Sequence, residues 1–193
     1  MKERKIKIIK IADEARDVNT EVFFKLLRTV DTTTPDTMHE SSKNSKFFIK
    51  LSNGWTLNSP EELDYQFNWL IEARRVMEFL VPKPLVMIEI DGKQGYIMER
   101  INGNTIESML IKNPNAVIKD KNSILDQLTW AVLCLHNNNL THNDLALNNI
   151  LLDSSGNVIL IDPLSDNVPL DIMVKNDLDG IKEVRKCFAE LKQ

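Results

Sequence analysis

Glycine is scarce in this chain and unevenly placed: there are 6 in 193 residues, and none precedes Gly54. A glycine-lined turn, where backbone amides approach an anion with no side chain in the way, is therefore excluded from everything ahead of that residue. Cysteine is scarcer still. Cys134 and Cys187 each fall inside an apolar helical pattern, so they read as buried free thiols rather than a disulfide framework or a thiolate metal site. There is no excess of positive charge: 24 Lys and Arg face 28 Asp and Glu, a net charge of -4, which argues against nucleic acid as a partner. Long apolar runs are also missing. The start, Met1-Lys2-Glu3-Arg4-Lys5-Ile6-Lys7, is charged and then alternates, so neither a signal peptide nor a membrane span is expected, and a cytoplasmic location is the simplest reading. What is present is enough to fold, since 42% hydrophobic residues can fill the core of one domain or of a small two-lobed unit.

Two stretches of different character divide the chain near residue 100. In the first, Lys5 to Ala12 alternates as a strand does, and Thr20 to Val30 fits either a strand or a short helix because its apolar residues cluster. Residues 31–45 are polar without period and read as a loop. Lys46 to Leu51 is a compact strand candidate that carries Lys50, ended by the turn signal Ser52-Asn53-Gly54. Ser59-Pro60-Glu61-Glu62 has the form of a capping box. It opens a helix whose apolar face is Leu63, Phe67, Leu70, Ile71, Ala73, Val76, Met77 and Leu80, stopped by Pro82 and Pro84. Leu85 to Ile90 and Gln94 to Glu99 flank Asp91-Gly92, a hairpin signature.

After Asn102-Gly103-Asn104 the pattern turns helical. Thr105 is placed to cap a short helix, and Ser123 to cap a second over Ile124 to Leu135. Ile150 to Leu152 and Val158 to Ile161 read as two strands around Asp153-Ser154-Ser155-Gly156-Asn157. Leu178, Ile181, Val184, Phe188 and Leu191 form one face of a last amphipathic helix.

The most informative stretch lies between these elements: His142-Asn143-Asp144-Leu145-Ala146-Leu147-Asn148-Asn149, followed across the hairpin by Asp162. A His-x-Asp-x-x-x-x-Asn segment and a later aspartate supply a carboxylate to orient a hydroxyl and two hard oxygen donors for magnesium beside ATP phosphates. With Lys50 on its strand, the stretch from Thr141 to Asp162, THNDLALNNILLDSSGNVILID, resembles the protein-kinase-like superfamily, which includes protein kinases, RIO-type kinases and aminoglycoside phosphotransferases. The likeness runs from about Lys46 to Leu191.

That resemblance implies an α+β, bilobal protein-kinase-like fold: an antiparallel-sheet N-lobe with one main helix over 1–100, and a shortened, mainly helical C-lobe over 101–193. It implies ATP and Mg2+ as cofactors, with Asp144 as catalytic base, Asn149 and Asp162 as metal ligands, Lys50 on the inner phosphates and Glu72 as its helix partner. Glu61 and Glu62 are set aside for that role because the helix cap employs them. Met98, Glu99 and Ile101 match the link that meets adenine. His142 supports the loop by hydrogen bonds, and Asp177 matches an aspartate that begins a helix beneath the catalytic loop and braces it. His136 and His39 read as structural or exposed.

The chain also departs from the family pattern. With no early glycine, the phosphate-covering loop must be built otherwise, from Asp13 to Asn19 or, preferably, from Ser41 to Ser45, where Ser42, Asn44 and Ser45 offer small polar groups. Asp162-Pro163-Leu164 stands where Asp-Phe-Gly is usual, which removes the flexible glycine. Asn143 replaces the arginine that docks a phosphorylated activation loop, so control of that kind is not expected. Ala146 replaces a lysine near the transferred phosphate, implying slower turnover. The stretch from Asp162 to Gln193 is shorter than the substrate-binding helices of a full-length kinase, as in a minimal kinase. The expected activity is an atypical serine/threonine protein kinase acting on a protein hydroxyl. The alternatives are a small-molecule phosphotransferase of aminoglycoside-kinase type, acting on a small hydroxylated molecule, and a pseudokinase that binds nucleotide or a protein partner without catalysis.

Overall fold

A computed structural model describes residues 5–15, 27, 38–40, 46–52, 59–165 and 168–191. The chain divides into two compact units, one formed by Met1–Ile71 with Lys83–Arg100 and the other by Glu72–Pro82 with Ile101–Gln193. Of the first hundred residues, Glu72–Pro82 groups with the second unit.

The first unit is built on a five-stranded antiparallel sheet in the order β1-β4-β5-β3-β2. Its strands are β1 (Ile6–Ile11), β2 (Met38–Glu40), β3 (Phe47–Leu51), β4 (Pro84–Ile90) and β5 (Lys93–Glu99). Strand β4, paired on both sides, is buried along almost its whole length, which is why PLVMIEI shows no alternation. The β4–β5 turn is closed by Asp91 and Gly92 at φ 51° and 85°, the left-handed pair a two-residue hairpin requires. β2 lies inside the stretch read as a loop. Its three residues are too few to show a period, and their pairing comes from β3 (Met38 opposite Lys50). The Thr20 to Val30 segment lies outside the described residues except for Leu27, which is helical and fully buried.

Helix α1 (Pro60–Val76) begins as its capping signal predicts, with Ser59 Oγ accepting from Glu62 N at 3.2 Å. The chain's own Glu61 completes the cap: hydrogen bonds from its backbone amide and from Ser59 hold its carboxyl below the usual value of 4.5. Against the sheet α1 presents Phe67, 6.0 Å from the Tyr96 ring.

The second unit carries a three-stranded sheet, β6-β7-β8, from Gly103–Thr105, Ile150–Asp153 and Val158–Leu160. Gly103–Thr105, just ahead of the helical pattern, is thus a strand, and it pairs with β7. Thr105 caps α2 (Ile106–Lys112), accepting from Ser108 N at 3.1 Å. Helix α3 (Pro114–His136) starts earlier than the Ser123 cap suggested. Pro114 sits in its first turn, where a missing N–H costs nothing, and Ser123 lies inside the helix, bonded to the Gln127 amide. Helix α4 (Leu170–Glu190) packs along α3 through Asp177, Ile181, Val184 and Phe188.

Candidate active site

Residues 142–149 connect α3 to β7 with no regular structure of their own, so their backbone groups must be satisfied from neighbouring segments. They are. His142 N and Asn143 N donate to the two oxygens of the Asp177 carboxylate at 3.0 and 2.6 Å. His142 O accepts from Leu164 N at 3.0 Å, Leu147 O from Glu107 N at 3.1 Å, and Asn149 O from Ile161 N at 3.1 Å. Asp177 is fully buried and also bonds His136 Nε2 at 2.9 Å, so three groups compensate for its loss of water. It does not begin a helix, as its neighbours in sequence suggested. It stands within α4, on the same face as Ile181, Val184 and Phe188.

On this clamped frame Asp144 is exposed while Thr141, His142, Asn143 and Leu145 are buried. Asn149 Nδ2 donates to Asp144 O at 3.0 Å and to Asp144 Oδ2 at 2.7 Å. One bond fixes the carboxylate, and its other oxygen takes no hydrogen bond from the described residues. The same two bonds occupy the Asn149 nitrogen and leave its amide oxygen for another ligand. Asp162, half-buried, follows β8 in the left-handed region at φ 56°, a conformation that Asp and Asn adopt more readily than most residues. The bond from Ile161 N to Asn149 O joins the two segments that carry these oxygens. An amide oxygen and a carboxylate suit magnesium, which completes its shell with water and phosphate rather than with a closed protein cage.

His142 is fully buried, with Nε2 at 2.8 Å from Ile161 O. Burial pushes its pKa below the usual 6.5, opposed by the charge of Asp177, the Ile161 carbonyl, and the charges of Asp144 and Asp162. The imidazole is thus held as a neutral structural hydrogen-bonding group, with all three aspartates close enough to act on it. His136, read as structural or exposed, is a direct partner of Asp177.

In the first unit Lys50 is buried at 5% exposure and donates to Gln66 Oε1 at 2.9 Å. Gln66 Nε2 in turn lies 3.4 Å from Glu62 Oε1, and Tyr96 Oη donates to Gln66 Oε1 at 3.3 Å. Glu72, expected as the helix partner of Lys50, is engaged by a neighbour on its own helix. Both its oxygens accept from Arg75 Nη1, at 2.7 and 2.8 Å, on a half-exposed surface. The reason is helical phase: Glu72 is about 80° around α1 from Glu62, away from the buried arc that holds Glu62, Gln66 and Phe67. Glu62 was set aside because the capping signal accounted for it, yet its carboxylate also faces Gln66. A glutamine on an apolar face, one turn after a glutamate, was the available signal.

Met98 is buried in β5, and Glu99 joins β5 to Lys83: its backbone N donates to Lys83 O at 2.9 Å and its carboxylate accepts from Lys83 N at 2.7 Å. Ile101 is half-buried. Ser42, Asn44 and Ser45 lie outside the described residues.

With this geometry in place, residues 38–177 match the family model for the protein tyrosine and serine/threonine kinases, and the chain belongs to that family. A protein of Dictyostelium discoideum described as a "Probable serine/threonine-protein kinase" is 35% identical over 75 residues, 38% of this chain and 16% of that protein. Among solved structures, the PknI kinase domain of Mycobacterium tuberculosis, a double mutant, gives a TM-score of 0.47 at 18% identity, covering 66% of this chain and 53% of its own. The apo form of PpkA gives 0.42 at 20% identity, covering 64% and 42%. The chain therefore spans about half or less of the relatives it matches. Among the described residues no helix is long and apolar enough to cross a membrane.

Proposed function

We propose that this chain is an ATP- and magnesium-dependent serine/threonine protein kinase of atypical sequence, transferring the terminal phosphate of ATP to a protein hydroxyl. The observation that carries the reading is Asp144: an exposed carboxylate between the buried Asn143 and Leu145, oriented through one oxygen by Asn149, with the other oxygen open to a hydroxyl. Asn149 and Asp162 would hold magnesium through the amide oxygen and the carboxylate. Bound there, the ion would neutralise charge developing on the phosphate oxygens. Lys50 is assigned the inner phosphates; its burial and its amide partner Gln66 hold the ammonium in place. Glu62 replaces Glu72 as the carboxylate of that network. Met98, Glu99 and Ile101 are assigned to adenine, and Ser42, Asn44 and Ser45 to the loop over the phosphates. His142 and Asp177 brace the catalytic loop. Family membership supports a protein acceptor over a small molecule.

The test is incubation with terminally labelled ATP and magnesium, first alone, then with a protein mixture and with small hydroxylated compounds. A labelled protein band that is lost with Asp144→Ala supports the proposal. Label on a small molecule, or nucleotide binding without transfer, would overturn it.

A further inference from the structure

Asn143 occupies the position just before the proposed base, and its side chain bonds two segments remote in sequence. Its Oδ1 accepts from Asn176 Nδ2 on α4 at 2.8 Å, and its own Nδ2 donates to Leu164 O at 3.3 Å. Its backbone N donates to Asp177, and its neighbour His142 accepts from Leu164 N through its carbonyl. The side chain is buried, and the residue sits at φ 61°, left-handed backbone that asparagine tolerates better than most residues. Leu164 is thereby held through both its N–H and its C=O, two residues after Asp162.

We propose that Asn143 is a positioning residue, an uncharged latch that ties the segment after Asp162 to the catalytic loop and α4, so that the metal-binding aspartate is ordered without a docked phosphate. The proposal rests on the functional reading above and specifies how that site is regulated. A phosphate-docking arginine would leave the segment loose until a phosphate arrived and would be screened by salt. A buried amide bridge has neither dependence. It needs only the three segments already present, and both hydrogen-bonding groups of the asparagine are used.

Asn143→Gly separates the bridge from the backbone, since glycine accepts φ 61° without strain and retains the amide bond to Asp177. Residue-resolved hydrogen exchange on the full chain should show the Leu164 amide exchanging about tenfold faster in this variant, the size expected for the one buried amide bond that Leu164 loses, while the amides of α4 stay protected. Asn143→Asp, which keeps the acceptor but loses the donor to Leu164 O, should loosen Leu164 as well. Asn176→Ala added to Asn143→Gly should change nothing further. The magnesium-dependent part of nucleotide affinity should fall with the glycine variant, and phosphatase treatment of the wild type should leave Leu164 exchange unchanged. Wild-type exchange in Asn143→Gly, or loosening by phosphatase alone, would overturn the latch. A wild type that binds nucleotide but transfers no phosphate would instead overturn the kinase activity, with the exchange data still deciding the latch.

Discussion

Asp144 and Asn149 hold one another, and the pair divides the proposed labour: Oδ2 of the aspartate and Nδ2 of the asparagine are used internally, leaving one oxygen of each for ligands. Asp144→Ala should lower the transfer rate by about a hundredfold or more, the usual range for a lost general base, with nucleotide affinity nearly unchanged; single-turnover kinetics beside calorimetric titration would measure both. A drop in affinity equal to the drop in rate would mean that Asp144 binds rather than acts. For the lysine network, mutation separates Glu62 from Glu72 as the carboxylate involved. Lys50→Met and Glu62→Gln should each weaken nucleotide binding, Lys50→Met by roughly tenfold for a lost charged contact, whereas Glu72→Gln should bind as the wild type does. Weakening by Glu72→Gln, with Glu62→Gln inert, would restore the sequence-based pairing.

Elements rather than single side chains set the depth at which the 142–149 loop sits. Helix α4 approaches the loop at Gly180, where an added Cβ would stand 2.7 Å from Leu145 Cβ and 2.8 Å from Leu145 O. Replacing a helical glycine with alanine ordinarily stabilises by about 1 kcal/mol. Here the sign should reverse, because loop or helix must shift: Gly180→Ala is expected to destabilise by about 1 to 3 kcal/mol in urea titration and to lower turnover. A more stable, fully active variant would show that the loop can yield. On the other side of the loop, Gln127 fastens α3 to the β7–β8 turn, donating to Gly156 O at 3.2 Å and accepting from Val158 N at 3.0 Å. That fixes the strand leading to Asp162. Within the turn, burial works to raise the pKa of Asp153, but hydrogen bonds from the Asn157 side chain and from the backbone of Asn157, Ser155 and Gly156 outweigh it and leave the carboxyl below 3.8.

For the molecule as a whole, the neutral, buried His142 makes stability depend on pH. Its folded pKa lies below the unfolded value, so the unfolded chain binds the extra proton. The contribution is complete above about pH 6.5 and declines as pH falls, by at most about 1.4 kcal/mol per unit. Denaturant midpoints between pH 7.5 and 5 should show this decline, and His142→Asn should flatten it. Glu61 and Asp153, whose ordinary values are 4.5 and 3.8, lose their contributions only at lower pH. An equal slope in the variant would assign the effect to another group. Much of this architecture was legible beforehand, because hydrophobic period, capping residues and the Asp91-Gly92 turn act over a few neighbouring positions; α1, the β4–β5 hairpin and the motif on its loop all follow from them. Strand β2, the early start of α3 and the strand at Gly103 did not, since their signals were a partner strand or a single proline. The sequence by itself determined which chemical groups are available, the aspartates, the asparagines and one lysine, and their order. Only the tertiary structure decided which of them meet: Gln66 with Lys50 and Glu62, His136 with Asp177, and Asn143 with Leu164 and Asn176. Those choices depend on the rotation of a helix and on approaches between segments far apart in sequence, which no local pattern encodes.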